Sequence, residues 1–348
     1  MVANYILIGD TIMPDYSKLT SSSRDSASLC AVADMTSVLS RRSFVIAASV
    51  TAAMAMLTPR RLLGADQNIV DTIKTAAAAG PITVQPLRGN VSVIMGSGGN
   101  IAVLPGPDGK LLIDAGIAVS QPKIVEALAG ISDDPIKNLV NTHWHFDHTD
   151  GNNWLHAAGA TITAHENTRK RLSIRHRVEG WRFTFPAAPK GALPTVLFQK
   201  DLTLDLNGTS IALEYYEPAH TDCDISVHFT DADVLHVADT WWNGIYPFID
   251  YSSGGNIDGT IDATERNLSR TTDKTIIIPG HGPVGNKAQL TEYRDMLVAV
   301  REKVAALKEK GMSLDRVVAA KPTAPFDDKW GKFVTTPDAF TGLVYQGV

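Results

Sequence analysis

Cysteine is nearly absent. The 348 residues contain two, Cys30 and Cys223, too few for a disulfide framework, so stability must come from a packed core and from bound groups. Basic clusters are missing as well. Lys and Arg number 32 against 37 Asp and Glu, a formal net charge of -5, with no basic run in the body of the chain. That excludes nucleic acid and an anionic membrane surface as the main partner, because phosphate binding needs clustered positive charge. Long hydrophobic runs are lacking too. The apolar stretch Val45–Leu57 falls short of the ~20 residues that span a bilayer. No short-period repeat is present, and no Ser-His-Asp or Cys-His nucleophile is evident.

What is present reads as a soluble globular protein. About 44% of residues are apolar and 20% charged, and the length accommodates one large domain or two ordinary ones. Residues 40–46 read Ser-Arg-Arg-Ser-Phe-Val-Ile, and the apolar stretch Val45–Leu57 runs on from them. Its length suits a signal-peptide core of about 7–15 residues. Pro59, Arg60 and Arg61 follow, with a cleavage point expected after Ala65. The segment resembles a twin-arginine signal, which implies passage through the twin-arginine export machinery to the periplasm or beyond. Residues 1–34 are Ser-rich and aperiodic, a disordered leader or a misassigned start ahead of Met35. The expected organisation is a leader over 1–34, a signal over 35–65 and one catalytic domain over 66–348 with a C-terminal helical extension. Cleavage would leave Cys223 as the sole thiol and, removing more basic than acidic groups, a more acidic chain.

The body alternates two patterns. Ile82–Leu87, Val91–Met95, Ile101–Leu104 and Lys110–Ile113 are short β-branched runs separated by turn residues, which predicts a meander. A helix is expected near Gln121–Ala129 and a buried strand at Ile136–Val140. A helix near Asn153–Ala158, a strand at Thr161–Ala164 and a helix from Glu166 follow. Residues 180–198, with Trp181, Phe183, Phe185, Pro186, Pro189 and Pro194, read as an aromatic, Pro-rich loop. A second meander is expected from Leu202 to Val237. Helices near Thr260–Leu268 and Ala288–Glu309 then flank a strand at Thr275–Ile278. Strand runs interleaved with helices, twice over, predict two packed sheets with helices outside.

The chemistry concentrates after the Ile136–Val140 strand, in His143-x-His145-x-Asp147-His148. Imidazole nitrogen and carboxylate oxygen are ligands that suit zinc. A turn at a strand end can aim some of them one way and the rest the other, so one segment could serve two adjacent metals. Three further candidates follow strand-like runs and precede turn residues: His220 in Pro-Ala-His-Thr-Asp, Asp239 after Val234–Ala238, and His281 in Pro-Gly-His-Gly. All could meet at one rim of the sheets. His228 and His236 fall inside strands and read as core or supporting groups.

This ordered set resembles the metallo-β-lactamase superfamily over residues 82–285. The resemblance implies a four-layer αβ/βα sandwich, an α/β (α+β) fold with two mixed sheets flanked by helices. It implies that His143, His145 and His220 bind one metal, that Asp147, His148 and His281 bind a second, and that Asp239 bridges them. It also implies that Asp114 braces the ligand loop. Two Zn2+ per chain are expected, with Fe or Mn as alternatives. The implied activity is hydrolysis of a small carbonyl substrate (ester, lactone, thioester or β-lactam), with Asp147 orienting the attacking hydroxide and taking its proton.

Asp239 sorts the subfamilies. The best-known zinc β-lactamases carry Cys there and another type Ser, whereas Asp is typical of glyoxalase II-like thioesterases and lactonases. Trp242 replaces a Tyr that some lactonases carry, and the Lys with which many β-lactamases hold a carboxylate is absent. A β-lactamase and, using fewer ligands, a mononuclear iron persulfide dioxygenase stand as alternatives. Trp144, Trp181, Trp241, Trp242 and Phe248 read either as an aromatic pocket wall or as core. Cys223 reads as packing or support.

Overall fold

A computed structural model of the chain describes residues 68–348. The leader and the twin-arginine segment lie outside the described residues. Helix α1 (Ile69–Ala79) comes first, its first turn capped by the Asn68 side chain accepting the Asp71 N–H at 2.9 Å. Strands β1 (Thr83–Pro86), β2 (Ser92–Met95), β3 (Ile101–Leu104) and β4 (Lys110–Ile113) form the expected antiparallel meander. Helix α2 (Gln121–Ile131) carries the chain to β5 (Ile136–Asn141), parallel to β4. The short helices α3 (Phe146–Thr149) and α4 (Asn152–Ala157) lead to β6 (Thr161–His165), parallel to β5. Helix α5 (Glu166–Leu172) follows.

The second sheet contains β10 (Asp201–Leu206), β11 (Thr209–Tyr215), β12 (Ile225–Phe229), β13 (Val234–Trp242) and β14 (Ile276–His281). Its first four strands are antiparallel and β14 runs parallel to β13. Helix α6 (Ile257–Ser269) connects β13 to β14, and the long helix α7 (Lys287–Glu309) follows β14.

Strand alternation sorts side chains into layers. On the first sheet Val93, Ala102, Leu104, Leu111 and Ile113 face the second sheet, where they meet Ile211, Leu213, Ile225, Val227, Val234 and Ile278. Their neighbours Ile94, Ile101, Val103 and Leu112 face outward against Ile124 and Leu128 of α2 and Leu155 of α4. On the second sheet Leu235, Val237 and Ile277 face outward against Leu290, Tyr293, Leu297 and Val300 of α7. The result is the expected four-layer αβ/βα sandwich. Each fully buried Leu or Ile contributes about 1.5–3 kcal/mol, so stability resides in these three interlayers. The C-terminal helices α8 (Leu314–Ala319), α9 (Asp327–Trp330) and α10 (Pro337–Gly347) extend the last layer through Val317, Trp330, Phe340 and Val344.

Two expectations need correction. Residues 180–198 are not all loop: β8 (Phe183–Phe185) pairs with β7 (His176–Val178), and β9 (Val196–Phe198) adds a parallel edge to β6. Three-residue strands are too short for periodicity to reveal, and an edge strand needs only one neighbour. The second meander also does not end at Val237. β13 runs on to Trp242, so Asp239 lies inside the strand rather than beyond it. Its pairing with β14 slips on both sides of Ala238, whose φ of 46° is left-handed. This bulge breaks the apolar alternation that would have announced the strand.

Candidate metal centre

Parallel pairing brings the ligand-bearing segments to one end. β4 and β5 run the same way, so Asp114 and the His143–His148 segment leave the first sheet together. β13 and β14 also run together, which sets Asp239 beside the end of β14 at His281. His220 comes from the β11–β12 connection. The structure gathers all seven expected residues into two groups that could hold metal ions: His143, His145, His220 and Asp239, and Asp147, His148 and His281. Within each group the donor atoms lie within 4.8 Å of one another.

Asp239 reaches both groups. Its Oδ2 lies 3.3 Å from His220 Nε2, 3.9 Å from His143 Nε2 and 3.3 Å from His281 Nε2, while its Oδ1 is 3.1 Å from His148 Nε2. Asp147 Oδ2 is 3.3 Å from His281 Nε2 and 3.7 Å from His148 Nε2. Close approach demands glycine at two positions. A Cβ on Gly280 would sit 1.9 Å from Asp239 Oδ1, and one on Gly99 would sit 2.1 Å from His148 Cε1.

Hydrogen bonds on the far side of each ring decide which nitrogen faces inward. His148 Nδ1–H donates to Asp114 Oδ2 at 2.7 Å, leaving Nε2 as the inward lone pair. His220 Nδ1–H donates to the Phe248 carbonyl at 2.7 Å, with the same result. The Thr142 hydroxyl donates to Asp114 Oδ2 at 2.7 Å, so toward His143 Nδ1, 3.1 Å away, its oxygen accepts. His145 is reversed. Its Nε2–H donates to Asp250 Oδ2 at 3.1 Å, and its Nδ1 points inward, 2.8 Å from His220 Nε2. Inward lone pairs this close repel unless a cation lies between them. The Nε2 atoms of His143, His148 and His281 and the Oδ1 of Asp239 are buried without a hydrogen-bond partner. A buried polar atom left this way costs about 1–3 kcal/mol. The donor set, hard carboxylate plus imidazole, fits zinc or a similar divalent ion.

Electrostatics agree. Burial opposes charge on His148, yet Asp239, Asp147 and Asp114 outweigh it and hold the ring well above its usual value. The same balance, led by Asp239, pushes His281 up to about 9. Burial pulls His143 well below its ordinary value and lowers His145. Burial works against ionised Asp239 and Asp147, but the surrounding histidines overcome it and depress both carboxyls. In the metal-free protein these carboxylates therefore draw in protons where cations would otherwise sit.

Two supporting groups, Asp250 and Asn100, gave no signal in the sequence. Asp250 is buried and also accepts from the Ser252 and Ser253 hydroxyls. Asn100 donates to Pro279 O and Gly282 O at 2.9 Å and its N–H to Gly280 O at 2.8 Å, tying the two sheets together at the ligand end. His236, by contrast, is the buried supporting group that the sequence suggested: it accepts the Ala238 N–H and donates to Asn100 O, bracing the bulge from within the strand. Asp250 and Asn100 lie in loops, where polar residues give no periodic signal, so only their contacts identify them.

The aromatic residues divide. Trp241 packs in the outer core against α7 and forms no pocket wall. Trp242 lies 4.2 Å from His281 and Trp181 4.8 Å from His145, centroid to centroid. Phe248 stacks on Trp181 at 5.0 Å, and Trp144 belongs to the same apolar cluster. Cys223 packs there too, with burial pushing its thiol up and Thr221 Oγ1 3.3 Å away. The seven donors are almost closed off. Asp147 and His281, each 8% exposed, form the open rim.

A family model described as "Metallo-beta-lactamase superfamily" matches residues 94–301. A hydroxyacylglutathione hydrolase of Polaromonas sp. is 28% identical over 163 residues, 46% of this chain and 54% of the relative. A linear primary-alkylsulfatase of Pseudomonas sp. is 22% identical over 256 residues, 62% of this chain and 48% of that protein. The chain thus spans about half the length of the curated relatives it matches. Among solved structures, the DIM-1 metallo-beta-lactamase superposes with a TM-score of 0.50 at 21% identity, covering 62% of this chain and 97% of that one.

Proposed function

The chain belongs to the metallo-beta-lactamase superfamily, and from that premise we propose that it is a dinuclear metal-dependent hydrolase of small carbonyl substrates. One observation carries the reading: seven candidate donors from four segments meet, and His143, His145, His148 and His220 each turn the nitrogen not engaged on the ring's far side inward. His143, His145 and His220 would hold one ion and Asp147, His148 and His281 the other, with Asp239 between. Bound there, two zinc-like ions would supply a water acidified toward neutrality and a Lewis acid for the substrate oxygen.

The chain's own residues do the rest. Asp147, ionised and at the rim, orients the attacking water, takes its proton and can return it to the leaving group. Trp181, Trp242 and Phe248 keep bulk water off the ligand rings, which strengthens every charge interaction inside. Substrate approaches over Asp147 and His281. An ester, lactone, thioester or β-lactam suits this arrangement. Asp239, where zinc β-lactamases carry Cys or Ser, favours the first three. A sulfate ester is the second reading, because the alkylsulfatase match extends over more of this chain than the hydroxyacylglutathione hydrolase match does.

We further propose that the enzyme is exported, on the sequence pattern alone: Arg41–Arg42, Phe44, the apolar stretch Val45–Leu57 and the cleavage region near Ala65. The deciding experiment uses purified protein loaded with zinc, manganese or iron. Its substrates are aryl esters, acyl-homoserine lactones, S-lactoylglutathione, nitrocefin and an alkyl sulfate. Turnover of a carbonyl substrate supports the first reading. Turnover of the sulfate alone selects the second. One iron per chain with oxygen uptake on a persulfide overturns both.

A further inference from the structure

Asp239 is delivered by an interruption in its own strand. The β13–β14 pairing sets His236 opposite Ile278, Ala238 opposite Pro279 and Trp242 opposite His281, with a slip on each side of Ala238. At the slip Ala238 takes a φ of 46°. A left-handed backbone brings Cβ against the following carbonyl oxygen, so Gly adopts it readily and Asn and Asp less so. Every other left-handed non-glycine residue among those described is Asn, Asp, Arg or Lys. Ala238 has no polar side chain to offset the strain, and it is 1% exposed. Such a conformation persists only where its surroundings hold it.

His236 supplies that hold. Its Nδ1 accepts the Ala238 N–H at 3.2 Å, and its Nε2–H donates to the Asn100 carbonyl at 3.1 Å. The ring is fully buried, and burial lowers its pKa, so it is neutral with one hydrogen to place. An acceptor at Nδ1 commits that hydrogen to Nε2. Asn100 is fixed in turn. Its N–H donates to the Gly280 carbonyl at 2.8 Å, and its Nδ2 donates to the Pro279 and Gly282 carbonyls at 2.9 Å. The ring thus ties the residue before Asp239 to the stretch of chain around His281. Gly280 closes the other side, since a Cβ there would stand 2.7 Å from the Ala238 carbonyl carbon. We propose that His236 is a positioning residue for Asp239: its Nδ1 holds Ala238 left-handed, and that turn aims the Asp239 carboxylate between the two groups of ligands. The inference rests on the reading of the seven residues as a metal centre. Groups that orient a metal ligand typically carry about 10–100-fold in metal affinity.

The test is chelator competition with zinc on the wild type, His236→Leu, Ala238→Gly and the double variant. It is paired with nitrogen-15 NMR of the zinc-loaded wild type. Leu keeps most of the ring's bulk but cannot accept from Ala238. Gly takes a positive φ without strain, so at position 238 it no longer needs the ring. His236→Leu should lower zinc affinity about 10–100-fold. The double variant should return to within a few-fold of Ala238→Gly alone. A ring that merely fills the core predicts the opposite, because removing the Ala238 methyl adds to the lost packing. In the wild type, NMR should show His236 with its hydrogen on Nε2. Unchanged affinity in His236→Leu overturns the proposal, as does a double variant no better than His236→Leu, or a hydrogen on His236 Nδ1. The NMR result decides the matter even where the variants misfold. Wild type that takes up no divalent ion sinks the metal-centre reading and this proposal together, whereas two bound ions with no effect of His236→Leu sink the proposal alone.

Discussion

Asp114 and His148 are joined through a 2.7 Å hydrogen bond between Oδ2 and Nδ1, at the buried boundary between the two groups that could hold metal ions. The same oxygen takes the Thr142 hydroxyl, which stands behind His143. One carboxylate therefore orients a ligand in each group. Asp114→Asn should lower the affinity for both ions, each by about 10–100-fold. Asn also tolerates the left-handed backbone at this position, where φ is 67°. Chelator competition checks this, and an effect confined to one ion would count against a shared brace.

Gly280 faces Asp239 across the slipped β13–β14 pairing. In Gly280→Ala the new methyl would meet Asp239 Oδ1 at 1.9 Å and the Asp239 backbone N at 2.8 Å. The carboxylate must move off both metal groups. Expected are a fall in activity close to that of Asp239→Ala, metal content below two per chain, and about 1–3 kcal/mol of lost stability from overpacking. Asp239→Ala itself should spare stability, because the interlayer cores lie away from the ligands. Metal analysis with urea unfolding separates the two effects. Wild-type turnover in either variant would remove Asp239 from the bridging role.

The raised values at His148 and His281 make the metal-free protein sensitive to pH. A histidine whose folded value lies above its unfolded ~6.5 stabilises the fold fully below that pH. The contribution is lost as pH rises through the folded value, about 9 for His281. The melting temperature of metal-free protein should therefore fall between pH 6.5 and 9. Metal uptake has the opposite dependence, because both rings must shed a proton to bind. Zinc affinity should climb over the same window, with proton release measurable by calorimetry in buffers of different ionisation enthalpy. A flat melting curve together with no proton release would contradict the charge assignment.

Export is tested by changing Arg41 and Arg42 to Lys. The precursor should then remain in the cytoplasm while the domain from residue 68 onward folds and takes up metal. After normal export the mature N-terminus should lie near Asp66, leaving Cys223 as the sole thiol. Unimpaired export of the double Lys variant, read by cell fractionation and N-terminal sequencing, would reject the signal.

Much was legible from residues alone because two kinds of pattern are local. Runs such as Ile101–Leu104 and Lys110–Ile113 are apolar on both faces, so their strands could be read without knowing their neighbours. The spacing of His143, His145, Asp147 and His148 is likewise set by one loop and one turn of helix. Where patterning is too short or broken, it misled: β9 is three residues long, and the Ala238 bulge hid the second half of β13.

The order of seven donors along the chain, their residue types and the two-layered strand pattern came from sequence by itself. Their physical basis is covalent spacing and alternation, which need no partner. Only the tertiary structure decided that Trp241 packs against α7 while Trp242 meets His281, since adjacent residues on a strand face opposite layers and a bulge resets which is which. It alone found Asp250, which lies 105 residues from His145 and is joined to it only because the loops after β5 and β13 leave their sheets at the same end. For four of the five histidines the inward nitrogen is set by the partner on the ring's far side, the adjacent Thr142 for His143 but distant segments for His145, His148 and His220.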